Sequence, residues 1–196
     1  MMDRNFLVVG VGGQGALLAS NILADVGVKA GYDVKKAEVH GMSQRGGSVN
    51  SHVRWGGQVR SPVIENGEVD ILLALEKLET LRYLDMLRKD GFVFIGNYVI
   101  PPLSVSSGND QYPDDGKIQS LVEQLTPHYY IVPTLSLAEK SGSTRAHNVV
   151  LLGAVSNCLP EIPVDLWFDV IATHVPDRYL DLNLNAFLLG KKSGNQ

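Results

Sequence analysis

A glycine-rich turn near the N-terminus constrains the fold more than any other part of the chain. A short apolar run at residues 6–9 has the composition of a strand buried on both faces. It leads into glycines at the spacing G-x-G-x-x-G, which are followed by a run of helix-forming residues at 16–29. Strand, glycine turn and helix in this order form the context that the dinucleotide-binding fingerprint requires. The candidate binding residues of this turn are Gly10, Gly12, Gly13, Gln14 and Gly15.

This turn has a binding interpretation and a purely structural one. Glycine allows positive φ angles and lets the backbone approach a ligand closely. The free N–H groups at the start of the following helix, with the positive end of its dipole, favour an anion. The alternative is that the glycines only permit tight packing between strand and helix, with no nucleotide bound.

Composition places the chain among globular proteins and excludes several classes of function. Its 196 residues, of which 44% are hydrophobic and 19% charged, predict a single domain over residues 1–196 with a substantial core. The net charge of −4 argues against a nucleic-acid-binding surface. Because no apolar run approaches the roughly 20 residues that span a bilayer, and no secretory signal precedes the first strand, we expect a cytoplasmic protein.

Residue types that bind metals or act as nucleophiles do not cluster in the sequence. The single cysteine, Cys158, cannot form an internal disulfide or a metal cluster alone, and its apolar surroundings predict a small core residue. The chain has no H-E-x-x-H or C-x-x-C motif, and the glycine turn lacks the lysine of a P-loop. We therefore expect neither a catalytic residue nor a metal ligand, which suits a subunit or binding module.

A second strand is predicted over residues 33–39. It would complete a β-α-β unit, and Gly31 suits the end of the preceding helix. In dinucleotide-binding domains an acidic residue at the end of this strand binds the ribose. Glu38 is the candidate, although it comes later than the usual offset of about 20 residues. The alternative is a solvated carboxylate beside Lys35 and Lys36.

The loop over residues 40–47 is the second candidate binding element. It combines three glycines with a histidine, an arginine and polar side chains. Such loops expose backbone N–H groups, and the planar guanidinium of Arg45 suits a carboxylate or a phosphate. Because the loop follows the second strand, it is expected over the same sheet end as the glycine turn. Its candidate site residues are His40, Gly41, Ser43, Gln44, Arg45, Gly46 and Gly47.

A β-hairpin is predicted directly after this loop. Residues 48–55 alternate apolar and polar side chains, which is typical of a half-buried strand. Gly56 and Gly57, followed by the run 58–64, predict a tight turn and a second arm. His52 falls on the polar face, where we expect a hydrogen-bonding surface histidine.

The middle of the chain alternates strands and helices. Residues 68–75 predict a buried parallel strand, residues 76–90 a helix ended by a glycine, and residues 92–95 another short strand. Glu76, at the strand-to-helix turn, is either a residue of the ligand-facing sheet edge or an ordinary first-turn acid. Residues 100–117 predict a surface loop or a partner-contact arm.

The C-terminal part is predicted to be largely helical. Ser143 or Thr144 is a suitable N-cap for a buried helix over residues 149–155, and Pro163 opens a further helix. The charge of Arg145 opposes the dipole of the buried helix, so we expect an anionic partner or exposure to solvent. These elements predict an α/β fold: a Rossmann-like, mostly parallel sheet flanked by helices, with an inserted β-hairpin and a helical C-terminal region.

Several motifs give a specific resemblance that spans nearly the whole chain. They are GVGGQG at residues 10–15, EVHGMSQRGGSV at 38–49 and SHVR at 51–54, with further matches at 67–76, 148–153 and 183–190. With these motifs the chain resembles the gamma-type domain of 2-oxoacid:ferredoxin oxidoreductases. Within that group it resembles the beta subunits of indolepyruvate ferredoxin oxidoreductases.

The resemblance implies one subunit of a heteromeric complex, inactive alone, that oxidatively decarboxylates an aryl 2-oxoacid to an acyl-CoA and passes the electrons to ferredoxin. It implies thiamine diphosphate and iron–sulfur clusters on a larger partner subunit, coenzyme A as co-substrate, and no cofactor held by this chain alone. The family pattern provides no catalytic residue. It transfers only the glycine turn and the 40–47 loop, as positions at the interface or near the coenzyme A phosphates.

Two other functions remain open from the residues. A free-standing NAD- or FAD-binding oxidoreductase would use the glycine turn and Glu38. A purely structural assembly subunit would leave the glycine turn empty. Bound nicotinamide or flavin would indicate the first of these, whereas a large thiamine-dependent partner would indicate a subunit.

Overall fold

The chain folds around one mixed β-sheet. The computed structural model describes residues 3–40 and 46–194, and all bounds below refer to them. The strands are β1 (Arg4–Val11), β2 (Asp33–His40), β3 (Ser48–Gly56), β4 (Val69–Ala74), β5 (Leu87–Gly96) and β6 (Tyr129–Val132). The helices are α1 (Ala16–Lys29), α2 (Lys77–Arg82), α3 (Leu103–Ser106), α4 (Asp115–Glu123), α5 (Thr134–Ser141), α6 (His147–Val155), α7 (Val164–His174) and α8 (Leu180–Ser193).

The strand order is β2-β3-β1-β4-β5-β6. Strands β1, β4, β5 and β6 are parallel, whereas β3 is antiparallel to both of its neighbours. Strand β2 therefore runs in the same direction as β1 but is separated from it by β3. The predicted mostly parallel sheet flanked by helices, with a helical C-terminal region, is confirmed.

The position of the hairpin differs from the prediction. Its two arms are β2 and β3, and residues 58–64 form no strand. The reason is that both edges of β3 are already paired, so no ladder remains for another arm. Side chains satisfy part of the 58–64 backbone instead: Asp33 Oδ2 accepts from the Val59 N–H at 2.7 Å, and His52 Nδ1 accepts from the Ile64 N–H at 3.2 Å.

His52 is hydrogen-bonded as predicted, but it is not a surface residue. Its side chain is 6% exposed, because residues 58–64 cover this face of β3. Burial, assisted by the charge of Arg54, lowers the pKa of His52. The ring is thus a neutral hydrogen-bond acceptor within the fold.

The predicted helix over residues 76–90 is too long. Helix α2 ends at Arg82, a single 3-10 turn covers Leu84–Met86, and β5 begins at Leu87. Leu78, Leu81, Leu84 and Leu87 have the spacing of one helix face. The pairing of β5 with β4 and the burial of Leu87 override this helical pattern. Gly91, which was expected to end the helix, lies buried within β5.

The sheet separates two hydrophobic cores. The larger one contains residues of β1, β3, α1 and the C-terminal helices α6, α7 and α8, and the smaller one lies on the face of α2 and α4. The bounds of α1 agree with the prediction, and α7 begins directly after Pro163, as predicted. The predicted N-cap of the buried helix is wrong: Ser143 caps a separate 3-10 turn over Thr144–Ala146, accepting from the Arg145 N–H at 3.3 Å, and α6 itself begins after Ala146 with no side-chain cap. Within the described residues, no helix combines the length and apolarity needed to cross a membrane.

Helices α6 and α8 pack backbone to backbone through two glycines. A Cβ atom on Gly153 would overlap the Phe187 carbonyl oxygen, and one on Gly190 would overlap the Val150 carbonyl oxygen. Neither obstacle is a flexible side chain, so the helices have to move apart to accept a larger residue.

We expect Gly153→Ala to destabilise the fold by about 3 kcal/mol or more, because overpacking against a fixed backbone cannot be relieved by a rotamer change. Chemical denaturation of the full chain measures this loss. Gly57→Ala is the matched control, since a Cβ there meets no atom within 4 Å and should change stability by less than about 1 kcal/mol. Equal midpoints for the two variants would contradict this account of the helix contact.

Candidate functional site

The glycine turn connects the end of β1 to the start of α1 with two residues in the left-handed region. Gly13 has φ 104° and Gly15 has φ 82°, conformations that glycine adopts without strain. A Cβ on Gly13 would meet no atom within 4 Å, so this residue faces open space. No acidic residue or side-chain cap occupies the first turn of α1. The helix start is therefore free to receive an anion.

Gln14 holds the turn in place. Its side chain is buried, with Oε1 accepting from the Val11 N–H at 2.8 Å and Nε2 donating to the Leu75 carbonyl at 3.2 Å. The amide thus ties the turn to the carboxyl end of β4. The Gln14 backbone is engaged as well, since its N–H donates to the Val11 carbonyl at 3.0 Å and His147 hydrogen-bonds to the Gln14 main chain.

Asn148, in the first turn of α6, supports the turn from the other side. Its Nδ2 donates to the Gly15 carbonyl at 3.1 Å, and a Cβ on Gly15 would lie 2.5 Å from this nitrogen. Its Oδ1 accepts from the Val149 N–H at 2.9 Å. Residues more than 130 positions apart therefore shape one surface, which sequence spacing did not indicate.

The end of the 40–47 loop lies against the glycine turn. The Gly12 N–H donates to the Gly47 carbonyl at 2.8 Å, and the Gly46 N–H donates to the Gly12 carbonyl at 3.4 Å. The expected placement of the loop over this sheet end is supported by these two hydrogen bonds. His40 is the last residue of β2. The other predicted site residues of the loop, Gly41, Ser43, Gln44 and Arg45, lie outside the described residues.

A partly buried polar network fixes the first residues after the loop. The Ser48 hydroxyl donates to Glu79 and lies 3.0 Å from the Tyr83 hydroxyl, to which Asn50 Nδ2 donates at 2.9 Å. Burial raises the pKa of the Glu79 carboxyl, against the Ser48 hydrogen bond and the charge of Arg82. The network thereby joins the start of β3 to α2, on the side of the sheet opposite α1.

Two clefts open on either side of the turn, and both are lined by Gly12, Gly13 and Gly15. One, of about 400 Å³, lies towards β3 and includes Val49 and Ser51. The other, of about 480 Å³, lies towards α6, and we call it the glycine cleft. Its further lining residues include Tyr98, Leu135, Thr144, Arg145, His147 and Asn148.

Arg145 is the charged residue of the glycine cleft that the sequence motifs did not assign to the site. It is exposed, and no carboxylate of residues 3–40 or 46–194 lies within ion-pair distance of it. Of the two expected outcomes, exposure to solvent is the one found. The sequence offered one signal for this residue: a positive charge at a helix start is unfavourable, and a bound anion relieves the repulsion from the helix dipole.

His147 lies buried at the glycine cleft with its Nδ1 unpaired. Its side chain is 5% exposed and its ring meets the Tyr98 ring edge-on at 5.4 Å. Burial lowers the pKa of His147 to about 4, against a hydrogen bond with the Gln14 backbone that raises it. The ring is therefore neutral near pH 7 and supports the turn without adding charge.

The remaining candidates lie elsewhere. Glu38 is on β2, and its carboxylate pairs with Lys36 at 2.5 Å. Glu76 is buried and caps α2, accepting from the Glu79 N–H at 3.0 Å, while its other oxygen accepts from Tyr112 at 2.5 Å. It acts as a helix-start acid rather than a ligand-facing one. Cys158 is half-buried, and burial raises the pKa of its thiol to about 11.

The fold and this edge define a class of protein: an α/β domain with a glycine turn at the carboxyl edge of a mixed sheet. Across the described ranges, no group of three or more histidine, cysteine, aspartate or glutamate side chains is placed to hold a metal. The sequence matches the family model of pyruvate ferredoxin/flavodoxin oxidoreductases over residues 5–193. The chain belongs to this family, which confirms the resemblance found in its motifs.

Relatives and solved structures match over the full chain. The chain is 39% identical to indolepyruvate oxidoreductase subunit IorB of Pyrococcus horikoshii, over 100% of this chain and 98% of that protein. The gamma subunit of a keto/oxoacid ferredoxin oxidoreductase from Geobacter sulfurreducens shares the fold, with a TM-score of 0.72, 22% identity and 98% of each chain covered. The 2-oxoglutarate:ferredoxin oxidoreductase of Magnetococcus marinus, solved with 2-oxoglutarate, coenzyme A and succinyl-CoA, gives a TM-score of 0.76 at 21% identity. All of this chain corresponds to 31% of that one.

The neutral His147 ring predicts a loss of stability in acid. The unfolded chain binds the proton near pH 6.5 and the folded chain only near pH 4, so stability falls as the pH decreases through this window. The full effect amounts to about 3 kcal/mol. Denaturant unfolding at several pH values should show a shallower pH slope for His147→Gln than for the unchanged chain, and equal slopes would contradict the assignment.

Proposed function

We propose that this chain is the small, non-thiamine-binding subunit of a heteromeric indolepyruvate (2-oxoacid) ferredoxin oxidoreductase of the cytoplasm. The complex converts an aryl 2-oxoacid to an acyl-CoA and passes electrons to ferredoxin. The observation that carries this proposal is the match to a named subunit of such an enzyme along the full length of both chains. The entire chain, residues 1–196, then acts as one gamma-type domain.

The redox cofactors belong to the partner in this proposal. An iron–sulfur cluster of the ferredoxin type takes four cysteine thiolates, and this chain has one cysteine. That cysteine is half-buried with a raised thiol pKa, which disfavours the thiolate form. The larger subunit therefore supplies thiamine diphosphate and the iron–sulfur clusters, and this chain is inactive alone.

The glycine turn fits the phosphates of coenzyme A. The free first turn of α1, the open position of Gly13 and the unpaired charge of Arg145 all suit a phosphate group. Gly12 donates to the Gly47 carbonyl and accepts from the Gly46 N–H, and these hydrogen bonds bring the end of the 40–47 loop to the same edge. In this proposal the loop, with Arg45, contacts coenzyme A or the partner subunit.

The sheet order weakens the alternative of a free-standing NAD- or FAD-binding enzyme. Adjacent strands lie about 4.8 Å apart. Because β3 intervenes, Glu38 on β2 is displaced by one further strand from the glycine turn. A carboxylate at the end of a strand directly beside β1 is what ribose binding needs.

Arg45→Ala tests the role of the loop. We expect the dissociation constant of coenzyme A for the assembled complex to rise about tenfold or more, or subunit association to weaken, since a charge-assisted contact is lost. Calorimetry and analytical gel filtration measure the two quantities. Arg60→Ala is the control, because Arg60 is exposed beside Asp3 and Asn5, at the opposite end of β1 from the glycine turn.

If Arg45→Ala leaves both coenzyme A affinity and assembly unchanged, the loop has neither role. Purification from the native host tests the subunit assignment itself. A co-purifying large subunit with bound thiamine diphosphate supports it. A chain that purifies without partner and retains nicotinamide or flavin supports the free-standing enzyme instead.

A further inference from the structure

A separate cleft lies beyond Arg145, between α1, the start of α6 and the junction of α7 with α8. We call it the helix cleft. Its volume is about 300 Å³, within the range of small-molecule sites. The apolar part of its lining consists of Leu18, Ala146, Val175, Pro176 and Leu182. The cleft thus combines an apolar wall with a volume that can hold a small ring system.

Two polar groups of the helix cleft, the Arg145 guanidinium and the Asn183 side-chain oxygen, lack partners within the described chain. Arg145 lies at its rim with no carboxylate in ion-pair range. Asn183 is 8% exposed; its Nδ2 donates to the Tyr179 carbonyl at 2.8 Å, and its Oδ1 accepts no hydrogen bond from the described residues. Of the other ionisable side chains in the lining, His174 already contacts Asp25 at 2.7 Å, and the Tyr179 ring lies against the Arg178 guanidinium at 4.8 Å. A cation and a hydrogen-bond acceptor therefore remain available to a ligand.

We propose that the helix cleft binds a small monocarboxylate with a flat apolar body. The carboxylate pairs with Arg145, the body packs against Leu18, Val175 and Leu182, and a ring N–H donates to Asn183 Oδ1. Charge complementarity favours an anionic ligand. A neutral molecule of the same shape would fill the apolar part of the cleft but would leave the Arg145 guanidinium without an anion. This site adjoins the coenzyme A site proposed above, because Leu18, Arg145 and Asn148 line both clefts, and Arg145 is the cation that the two sites share.

Titration of the full chain with indole-3-acetate, followed by NMR chemical shifts, tests the proposal. Indole-3-acetamide is the neutral control, because it keeps the ring but lacks the negative charge. Acetate is the second control, because it keeps the carboxylate but lacks the ring. We expect the acetamide and acetate to bind at least about tenfold more weakly than indole-3-acetate. Arg145→Ala should weaken indole-3-acetate by a similar factor and leave indole-3-acetamide unchanged.

Two further variants separate this cleft from the glycine turn. Leu182→Trp fills the helix cleft and should abolish indole-3-acetate binding. Gly13 lines only the two clefts at the glycine turn, so Gly13→Ala should leave indole-3-acetate binding intact. Circular dichroism and the unfolding midpoint establish that each variant is folded.

Equal affinity for the acid and the amide, or unchanged binding in folded Arg145→Ala, would overturn the proposal. So would loss of indole-3-acetate binding once the large subunit is added, because the occupant would then be a segment of the partner. The coenzyme A proposal stands or falls separately, since it is measured by Arg45→Ala in the complex.

Discussion

The pairing of β3 with β1 is the interaction on which the rest of the structure depends. Eight consecutive residue pairs, from Arg4 with Trp55 to Val11 with Ser48, place an antiparallel strand where a nucleotide-binding domain has a parallel one. This pairing brings Gly46 and Gly47 onto the glycine turn. It also moves β2 one position outwards, so the same backbone ladder both assembles the candidate site and separates Glu38 from it.

The candidate site is held mainly by side chains that point away from a ligand. The side-chain amides of Gln14 and Asn148 hydrogen-bond to backbone atoms at the turn. The buried His147 ring packs beside the turn and stays neutral near pH 7. The groups that remain at the clefts include main-chain atoms of Gly12, Gly13 and Gly15 and the guanidinium of Arg145. Such an edge recognises an anion by shape and dipole, which agrees with a subunit that positions a co-substrate while a partner carries out the chemistry.

Local patterns predicted the elements whose environment is set by near neighbours in sequence. Helix α1 and strand β2 lie where glycine spacing and apolar periodicity place them. The hairpin partner could not be obtained in this way, because β3 has two edges and only the folded sheet shows that both are paired. Leu84 and Leu87 fit a helical stripe equally well, and the contact of Leu87 with the β4 face decided against the helix.

The clefts could not be predicted because their walls come from distant segments. Arg145 and His147 reach the glycine turn only through the packing of α6 on α1 and α8. A single helix start offered a hint in the unfavourable charge of Arg145, but no sequence spacing connects it to Gly13. The glycine turn itself could be predicted from the sequence, whereas the contacts by which Asn148 supports it could not.

Helix α6 has a further role in connecting distant parts of the subunit. Its first turn holds the Gly15 carbonyl, and five residues later its backbone meets that of α8 with no side chain between them. Side chains ordinarily absorb small displacements by changing rotamer, and this contact has none to change. Helix α6 therefore links the glycine turn directly to α8, with a side-chain hydrogen bond at its first turn and a backbone contact five residues later.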